Sequence, residues 1–318
     1  KEDFCDFIRT NLTGFKDFDK CYRQIILKKI TPKTINDLYN NILSITTIIS
    51  YIDNDDELSN YIVSDTISEY IESSSSLRDY IKRIFNLDNC SNVDTQSIEV
   101  NIFNSDIFSD LDNHIELLDT CESELSSIMT NINSIMNKAE NKKKHIEYVK
   151  IHTTEKSGMY IVTTKKRAEL FKSLDKTNTY NIRKTSANNQ YIIENQKIST
   201  LCDKFFKGKI KLKDIIQTCY LEILHELENY SNIIYELSKF IATIDMLQNR
   251  VYIANKFNYC KPIIDEESDK SYLDVKNIRH PLIEHIQQNE LYVSNDINLG
   301  NNDQNGVCLF GTNAVGKT

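Results

Sequence analysis

The stretch Gly306-Val307-Cys308-Leu309-Phe310-Gly311-Thr312-Asn313-Ala314-Val315-Gly316-Lys317-Thr318 closes the 318-residue sequence. Its first part is a short apolar run of strand type. Its second part fits G-x-x-x-x-G-K-[ST], the phosphate-binding loop. Gly311 and Gly316 allow the tight path that turns backbone N–H groups inward onto phosphate oxygens. Lys317 would reach the β- and γ-phosphates of a nucleotide such as ATP, and the Thr318 hydroxyl would ligate Mg2+. A helix is expected to follow, its N-terminus facing the phosphates. A chance Gly-Lys-Thr turn is the bland alternative, and the preceding strand signal counts against it. The pattern stops inside the loop. The sequence therefore reads as the front part of a longer protein, cut where an ATPase domain begins, with no catalytic residue of its own and no turnover alone.

Composition sets the frame. Three prolines, seven glycines and no tryptophan suggest long helices with few breaks. The richness in Ile, Asn, Lys and Tyr matches AT-biased coding, so many Asn and Lys read as compositional. The eight cysteines (5, 21, 90, 121, 202, 219, 260, 308) include no C-x-x-C pair. They read as reduced thiols of an intracellular protein rather than a zinc or disulfide framework. No secretory signal opens the sequence and no apolar run reaches membrane-spanning length. The expected compartment is intracellular: nucleus, cytoplasm, an organelle, a virion or a viral factory.

The net charge of −8 hides an asymmetry. Residues 142–213 hold 18 Lys/Arg against 6 Asp/Glu, a net of +12, while the remainder nets −20. A basic island in an acidic chain points to a polyanion surface. The alternative is a solvated lysine-rich face.

Along the chain, residues 1–30 read as helical, and Thr31-Pro32 is a helix-start signal. Leu38, Ile42, Ile45, Ile49 and Ile52 continue a helical stripe. Residues 60–85 predict another helix, interrupted or ended near Ser73–Ser76, and residues 86–105 a loop with short strands. Leu118, Cys121, Leu125, Ile128, Ile132, Ile135 and Ala139 alternate spacings of three and four, as a coiled-coil seam does. A second seam runs from Ile216 through Tyr220, Ile223, Leu227, Tyr230, Ile234, Leu237 and Ile241 to Ile244. The simplest arrangement pairs 118–140 with 215–250 as antiparallel helices carrying the island at their tip. A return helix over 210–255 would be about 65 Å long. Otherwise both seams face one bundle core.

The island changes period. Tyr148–His152 and Met159–Thr163 predict a β-hairpin turning at Glu155–Gly158, with Tyr191-Ile192-Ile193 as a third strand. Lys165, Lys166, Arg167, Arg183, Lys184, Asn188 and Asn189 lie around these strands. They suit contacts to the phosphates of double-stranded DNA, which position a protein but read no sequence. His145 and His152 have no convincing metal partners.

Arg279-His280-Pro281-Leu282-Ile283-Glu284, then Tyr292-Val293, Asn298-Leu299 and the loop G-T-N-A-V-G-K-T together resemble the MutS-type DNA mismatch repair ATPases. Phe15–Cys21, Thr31-Pro32, residues 149–164 and Ile244-Asp245-Met246-Leu247 are similar to that family's helical core, clamp hairpin and return helix, in the family's order. Thr312 stands where the family usually has proline, Ala314-Val315 where it has a Met/Gly-type pair, and Thr318 where serine is commoner. This loop resembles the subgroup of large DNA viruses and octocoral mitochondria.

The resemblance implies a mainly α fold: long antiparallel lever helices with an inserted small β-rich clamp, then the start of an α/β P-loop ATPase domain. It divides the chain into a helical core and first lever (1–143), the clamp (144–200), the lever return (201–262) and the start of the ATPase domain (263–318). It implies Tyr292 stacking on adenine with Val293 beside it. It places Gly311, Thr312, Asn313, Ala314, Val315, Gly316, Lys317 and Thr318 around the phosphates and Mg2+, and Lys184, Asn188 and Asn189 near the DNA backbone. It further implies a homodimer or MutS-type heterodimer that closes on mismatched or damaged duplex DNA through the remaining ATPase half. The family's mismatch-reading domain, with its Phe-x-Glu wedge, is not in this sequence. A coiled-coil chromosome-maintenance ATPase of SMC or Rad type is the alternative. That class places its P-loop before the coiled coil, and here the order is reversed.

Overall fold

Thr31 caps the first long helix with its own hydroxyl, which accepts from the Thr34 N–H at 3.3 Å, and Pro32 occupies the first helical position. The computed structural model describes residues 2–62, 64–140, 146–154, 158–175, 178–185, 190–286, 291–300 and 304–312. They form two units, Lys1–Lys256 and Phe257–Thr318. The protein is mainly helical, with small antiparallel sheets.

The first unit begins with α1 (Glu2–Leu12), α2 (Phe18–Ile26), α3 (Pro32–Asp53), α4 (Asp56–Tyr61), α5 (Ser64–Ile84) and α6 (Leu87–Ser91). It continues with α7 (Ser109–Glu140), β1 (Lys150–Thr154), β2 (Gly158–Thr164), α8 (Lys165–Leu174), β3 (Asn181–Lys184) and β4 (Gln190–Glu194). It closes with α9 (Gln196–Leu227), a 3-10 turn (Glu228–Tyr230) and α10 (Ser231–Phe257). No described helix is long and apolar enough to cross a membrane.

Two hydrophobic cores organise this unit. The larger gathers α1–α6 around α3, whose Leu38, Ile42, Ile45, Ile49 and Ile52 are fully buried. Each such side chain contributes about 1.5–3 kcal/mol of burial. The second seam enters this core: Ile216, Tyr220, Ile223, Leu227, Ile234, Leu237, Ile241 and Ile244 are all buried in it. The Tyr220 hydroxyl donates to the Ile30 carbonyl at 2.8 Å. The smaller core holds Leu118, Leu125, Ile132 and Met136 of α7, Ile198, Leu201 and Phe205 of α9, and the sheet.

Several expectations are corrected. Residues 118–140 do not pair with 215–250. His114 of α7 bonds the Gly208 carbonyl at 2.9 Å, and Glu124 meets Lys197 at 3.2 Å. α7 therefore runs antiparallel to the first half of α9, whereas 215–250 packs on the helical core. The return run starts at Gln196 and is broken once at the 3-10 turn. The seam on α7 also drifts: Ile135 and Ala139 are exposed, whereas Asn133 and Met136 are buried. A straight helix at 3.6 residues per turn moves off a strict heptad. α5 runs unbroken through Ser73–Ser76, where Ser74 is buried and its hydroxyl donates to the Ile71 carbonyl at 3.1 Å. Residues 1–30, expected to be helical, form two helices, α1 and α2. None of the eight cysteines forms a disulfide, and six of them are buried. Burial pushes the Cys21 thiol up to about 11 and the Cys90 thiol up to about 12.

In the second unit, β5 (Leu273–Ile278) pairs antiparallel with β6 (Asn295–Leu299), and α11 (Pro281–Ile286) lies between them in sequence. Gly300 closes the pair at φ +74, and a Cβ there would clash with the Ser271 carbonyl oxygen. Gly300→Ala therefore combines a left-handed backbone with a backbone clash. It is expected to destabilise this unit by roughly 2 kcal/mol or more, read as a lower melting temperature in a thermal shift assay.

Candidate nucleic-acid interface and nucleotide site

The four-stranded sheet has order β1-β2-β4-β3, all antiparallel. The hairpin and third strand expected from sequence are present. β3 and α8 were not expected. The register aligns Ile151, Ile161, Ile193 and Ile182 in one row across the four strands. Ile161 and Ile193 are fully buried in the smaller core, which sets the sheet against the helices.

Two asparagines of α7 hold the chain as it enters the sheet. Asn133 Oδ1 accepts from the Tyr148 N–H at 2.8 Å and the Val149 N–H at 3.2 Å. Asn137 donates to the Ile146 carbonyl at 3.1 Å and accepts from its N–H at 3.3 Å. One turn apart on the same helix face, they act like a short strand edge. The Tyr148 hydroxyl donates to Glu140 at 3.0 Å, and Thr163 donates to the Tyr148 carbonyl at 2.7 Å.

The basic residues divide by role. Lys165, Lys166 and Arg167 form the first turn of α8, where Thr164 gives no side-chain cap and the turn holds no acidic residue. A helix start ordinarily attracts carboxylates; three cations there add to the positive end of the dipole. Lys165 and Lys166 are exposed. The contact of Lys165 to Glu169, at 4.0 Å between two largely solvated groups, is worth little. Arg167 is half-buried, 5.1 Å over the Tyr148 ring, and donates to the Glu147 carbonyl at 3.3 Å. Arg183 and Lys184 are consecutive on β3, so they face opposite sides of the sheet. Arg183 is bound to Glu194 at 3.0 Å. Lys184 is exposed and sits opposite Tyr191, which sits opposite Thr163. That row lies at the end of the sheet where β2 passes into α8. Lys165, Lys166 and Lys184 thus share one end of the sheet. Asn188 and Asn189 lie outside the described residues. His152 packs edge-on against Tyr160 at 5.4 Å, and no cluster of metal-ligating side chains occurs among the described residues.

In the second unit, Arg279 pairs with Glu284 at 2.6 Å and donates to the carbonyls of Phe257 at 2.9 Å and Asn258 at 3.2 Å. His280 Nδ1 accepts from the Ile283 N–H at 3.3 Å and so caps α11. The Arg-His-Pro-x-x-Glu series therefore ties a helix start to the chain that precedes it. Tyr292 is half-buried and Val293 is exposed. Residues 304–312 carry no regular structure. Val307, Leu309 and Phe310 are 58%, 71% and 89% exposed, so the strand expected over Gly306–Phe310 does not form. A buried strand needs neighbours for its N–H and C=O groups, and among the described residues β5 and β6 pair only with each other. Gly311 and Thr312 follow as exposed backbone. Asn313, Ala314, Val315, Gly316, Lys317 and Thr318 lie outside the described residues.

No family model matches the chain. It is similar to the DNA mismatch repair protein MutS of Thermodesulfovibrio yellowstonii, 28% identical over 313 residues, 96% of this chain and 34% of the relative. It is similar to a putative DNA mismatch repair protein mutS homologue of Acanthamoeba polyphaga mimivirus, 23% identical over 92% of this chain and 28% of the relative. It is also similar to the DNA mismatch repair protein MutS of Clostridioides difficile, 26% identical over 100% of this chain and 31% of the relative. The chain spans about a third of the length of these relatives. Its sequence is similar to those of these MutS proteins along nearly its whole length.

Proposed function

We propose that this MutS-type chain belongs to an ATP-dependent clamp of DNA mismatch repair, which closes on mismatched or damaged duplex DNA. The observation that carries the reading is the likeness to MutS proteins along 92–100% of the chain. The coiled-coil chromosome-maintenance alternative finds no support among these relatives. In this reading residues 1–143 are the helical core and first lever, 144–200 the clamp, 201–262 the lever return and 263–318 the start of the ATPase domain. A cationic sheet inserted between antiparallel α7 and α9 supports the clamp assignment.

The chemistry divides between the two units. At the sheet end, Lys165, Lys166 and Lys184 neutralise backbone phosphates and release their counterions, which drives binding without reading sequence. Asn188 and Asn189 add neutral donors. Arg183 is already neutralised by Glu194, and Arg167 supports Tyr148. In the second unit the exposed backbone of Gly311 and Thr312 and the half-buried Tyr292 ring are compatible with a nucleotide. Tyr292 and Val293 would hold the base, and Gly311–Thr318 the phosphates, with Thr318 on Mg2+. Bound ATP and its metal would supply the free energy that changes the clamp's state. The assembly is a homodimer or MutS-type heterodimer in an intracellular compartment.

The test uses the full-length protein on linear duplex DNA. ATP is expected to speed its loss from open-ended duplex but not from duplex blocked at both ends, and Lys317→Ala is expected to abolish the difference. Equal loss from both duplexes, with ATP bound, would overturn the clamp reading.

A further inference from the structure

Leu118, Leu125 and Phe205 turn one side of the α7–α9 pair into the smaller core. Another side of the pair is an open groove. Two cavities of about 880 Å3 and 740 Å3 make it up, and they share Asn113, His114, Leu117 and Lys211, so one runs into the other. The lining recurs at positions 110, 113, 117, 120 and 124 of α7 and at 204, 208, 211, 215, 218 and 222 of α9. Alternating spacings of three and four keep one face of each helix in line, as they do in a seam between packed helices. Along α9 the groove is about 27 Å long. Leu117, where the cavities meet, is 51% exposed.

Charge along the groove is ordered. Glu222 and Asp214 lie toward one end of the α9 face, and Lys211 and Lys204 toward the other, all four exposed. Asp110 of α7 adds to the acidic end. The basic end also holds Asp203 and Glu124, but Lys207 takes the first at 2.8 Å and Lys197 the second at 3.2 Å. Glu116 stays open there, on the α7 wall. Among the described residues no ion pair takes Lys204, Lys211, Asp214 or Glu222. A partner of one sign, duplex DNA included, is repelled by one end of this face. A second α9 laid antiparallel, across a two-fold near Lys213, is not. It brings Glu222 opposite Lys204 and Asp214 opposite Lys211, and the two-fold repeats both pairs.

We infer that this groove is a docking surface for a second copy of the chain, with α9 lying antiparallel on α9. His114 of α7 bonds the Gly208 carbonyl at 2.9 Å and the two helices run antiparallel, so Leu117 is level with α9 within a turn of Phe205. The two-fold then sets Leu117 near Leu221 of the second copy, a side chain 44% exposed, and the two leave water together. At a width of about 20 Å for two packed helices, each copy offers roughly 550 Å2, less than the roughly 800 Å2 a side of a standard interface. The contact is therefore weak, forms between chains held at high local concentration, and loosens with salt. It is separate from the dimer proposed through the ATPase half, and it does not rest on the clamp reading.

The experiment uses the full-length protein with Leu117 replaced by a photoreactive benzophenone amino acid. Equal amounts of light-nitrogen and heavy-nitrogen protein are mixed, irradiated and digested, and the linked peptides are identified by mass. Mixed-isotope links are expected from position 117 to residues 214–222 of another copy, falling roughly fivefold between about 0.1 M and about 0.5 M salt. Lys204→Glu with Lys211→Glu makes both ends of the α9 face acidic, and Asp214→Lys with Glu222→Lys makes both basic. Each double variant should lose about tenfold in linking, because like charges then meet. An equal mixture of the two should regain it, since unlike copies match at both ends, and that rescue shows that both variants fold. Links confined to one isotope mean that the groove is empty or filled from within the same copy, and they overturn the inference on a protein that carries no charge variant. Mixed links that survive both double variants, or that the mixture does not restore, overturn it too. Either failure leaves the clamp reading standing, because that reading is tested by duplex release.

Discussion

Asn133→Ala is expected to cost about 2–6 kcal/mol, because two buried N–H donors each lose a partner worth roughly 1–3 kcal/mol. Tyr148 and Val149 are 2% and 1% exposed, so water does not replace the missing acceptor. The penalty falls on the union of sheet and helix rather than on either alone. The row of isoleucines keeps its packing, while the chain leading into β1 loses its attachment to α7. Urea denaturation reads the loss, and hydrogen exchange at the amides of Tyr148 and Val149 localises it. Asn137→Ala should cost less, since Ile146 is only half-buried and solvent reaches its backbone. A loss below about 1 kcal/mol for Asn133→Ala, with both amides still protected, would mean that packing alone seats the sheet.

Asn133 also shows where the sequence misleads. In a chain rich in asparagine its signal is hidden in the composition, yet several asparagines carry fixed structural duties. Asn41 is buried and bridges both backbone groups of Lys16, at 3.1 Å and 2.8 Å. Asn104 donates toward the carbonyls of Lys82, Arg83 and Phe85 and so closes the end of α5. Apolar periodicity, by contrast, is legible. The α3 stripe and the second seam become core, apart from Tyr230, which is half-buried in the 3-10 turn, because burial is what selects that spacing. What periodicity does not carry is the partner. Two seams of equal quality enter different cores, and α9 changes core between Gly208 and Ile216, where the pattern merely pauses at Lys209, Lys211 and Lys213. The sheet was legible through its β-branched runs. β3 was not, because Asn-Ile-Arg-Lys reads as a polar connection until Ile182 is seen aligned with Ile193. Nor can a linear reading say that Arg183 and Lys184 face opposite ways, or that Glu194 takes the first of them.

That division changes what charge removal should do. Neutralising Lys165, Lys166 and Lys184 together is expected to reduce the salt slope of duplex binding by about 3, one for each phosphate that no longer meets a cation. Affinity at low salt should fall by roughly 100-fold, equally on unrelated sequences, since phosphate contacts carry no base information. Adding Arg167→Gln should leave the slope nearly where the triple variant puts it. Its guanidinium lies over the Tyr148 ring and bonds the Glu147 carbonyl, so its removal should appear as about 1–2 kcal/mol of stability instead. Arg183→Gln should change neither quantity much. Its guanidinium is held by Glu194 at 3.0 Å and is not offered to a phosphate. The measurement is fluorescence anisotropy of the full-length protein on two duplexes of unrelated sequence across a salt series. Should the triple variant keep the wild-type slope, the cationic end of the sheet is a solvated face and the duplex is held elsewhere. Should Arg167→Gln alone flatten the slope by one, the ring contact is too weak to withhold that cation from a phosphate, and Arg167 returns to the set that touches the backbone.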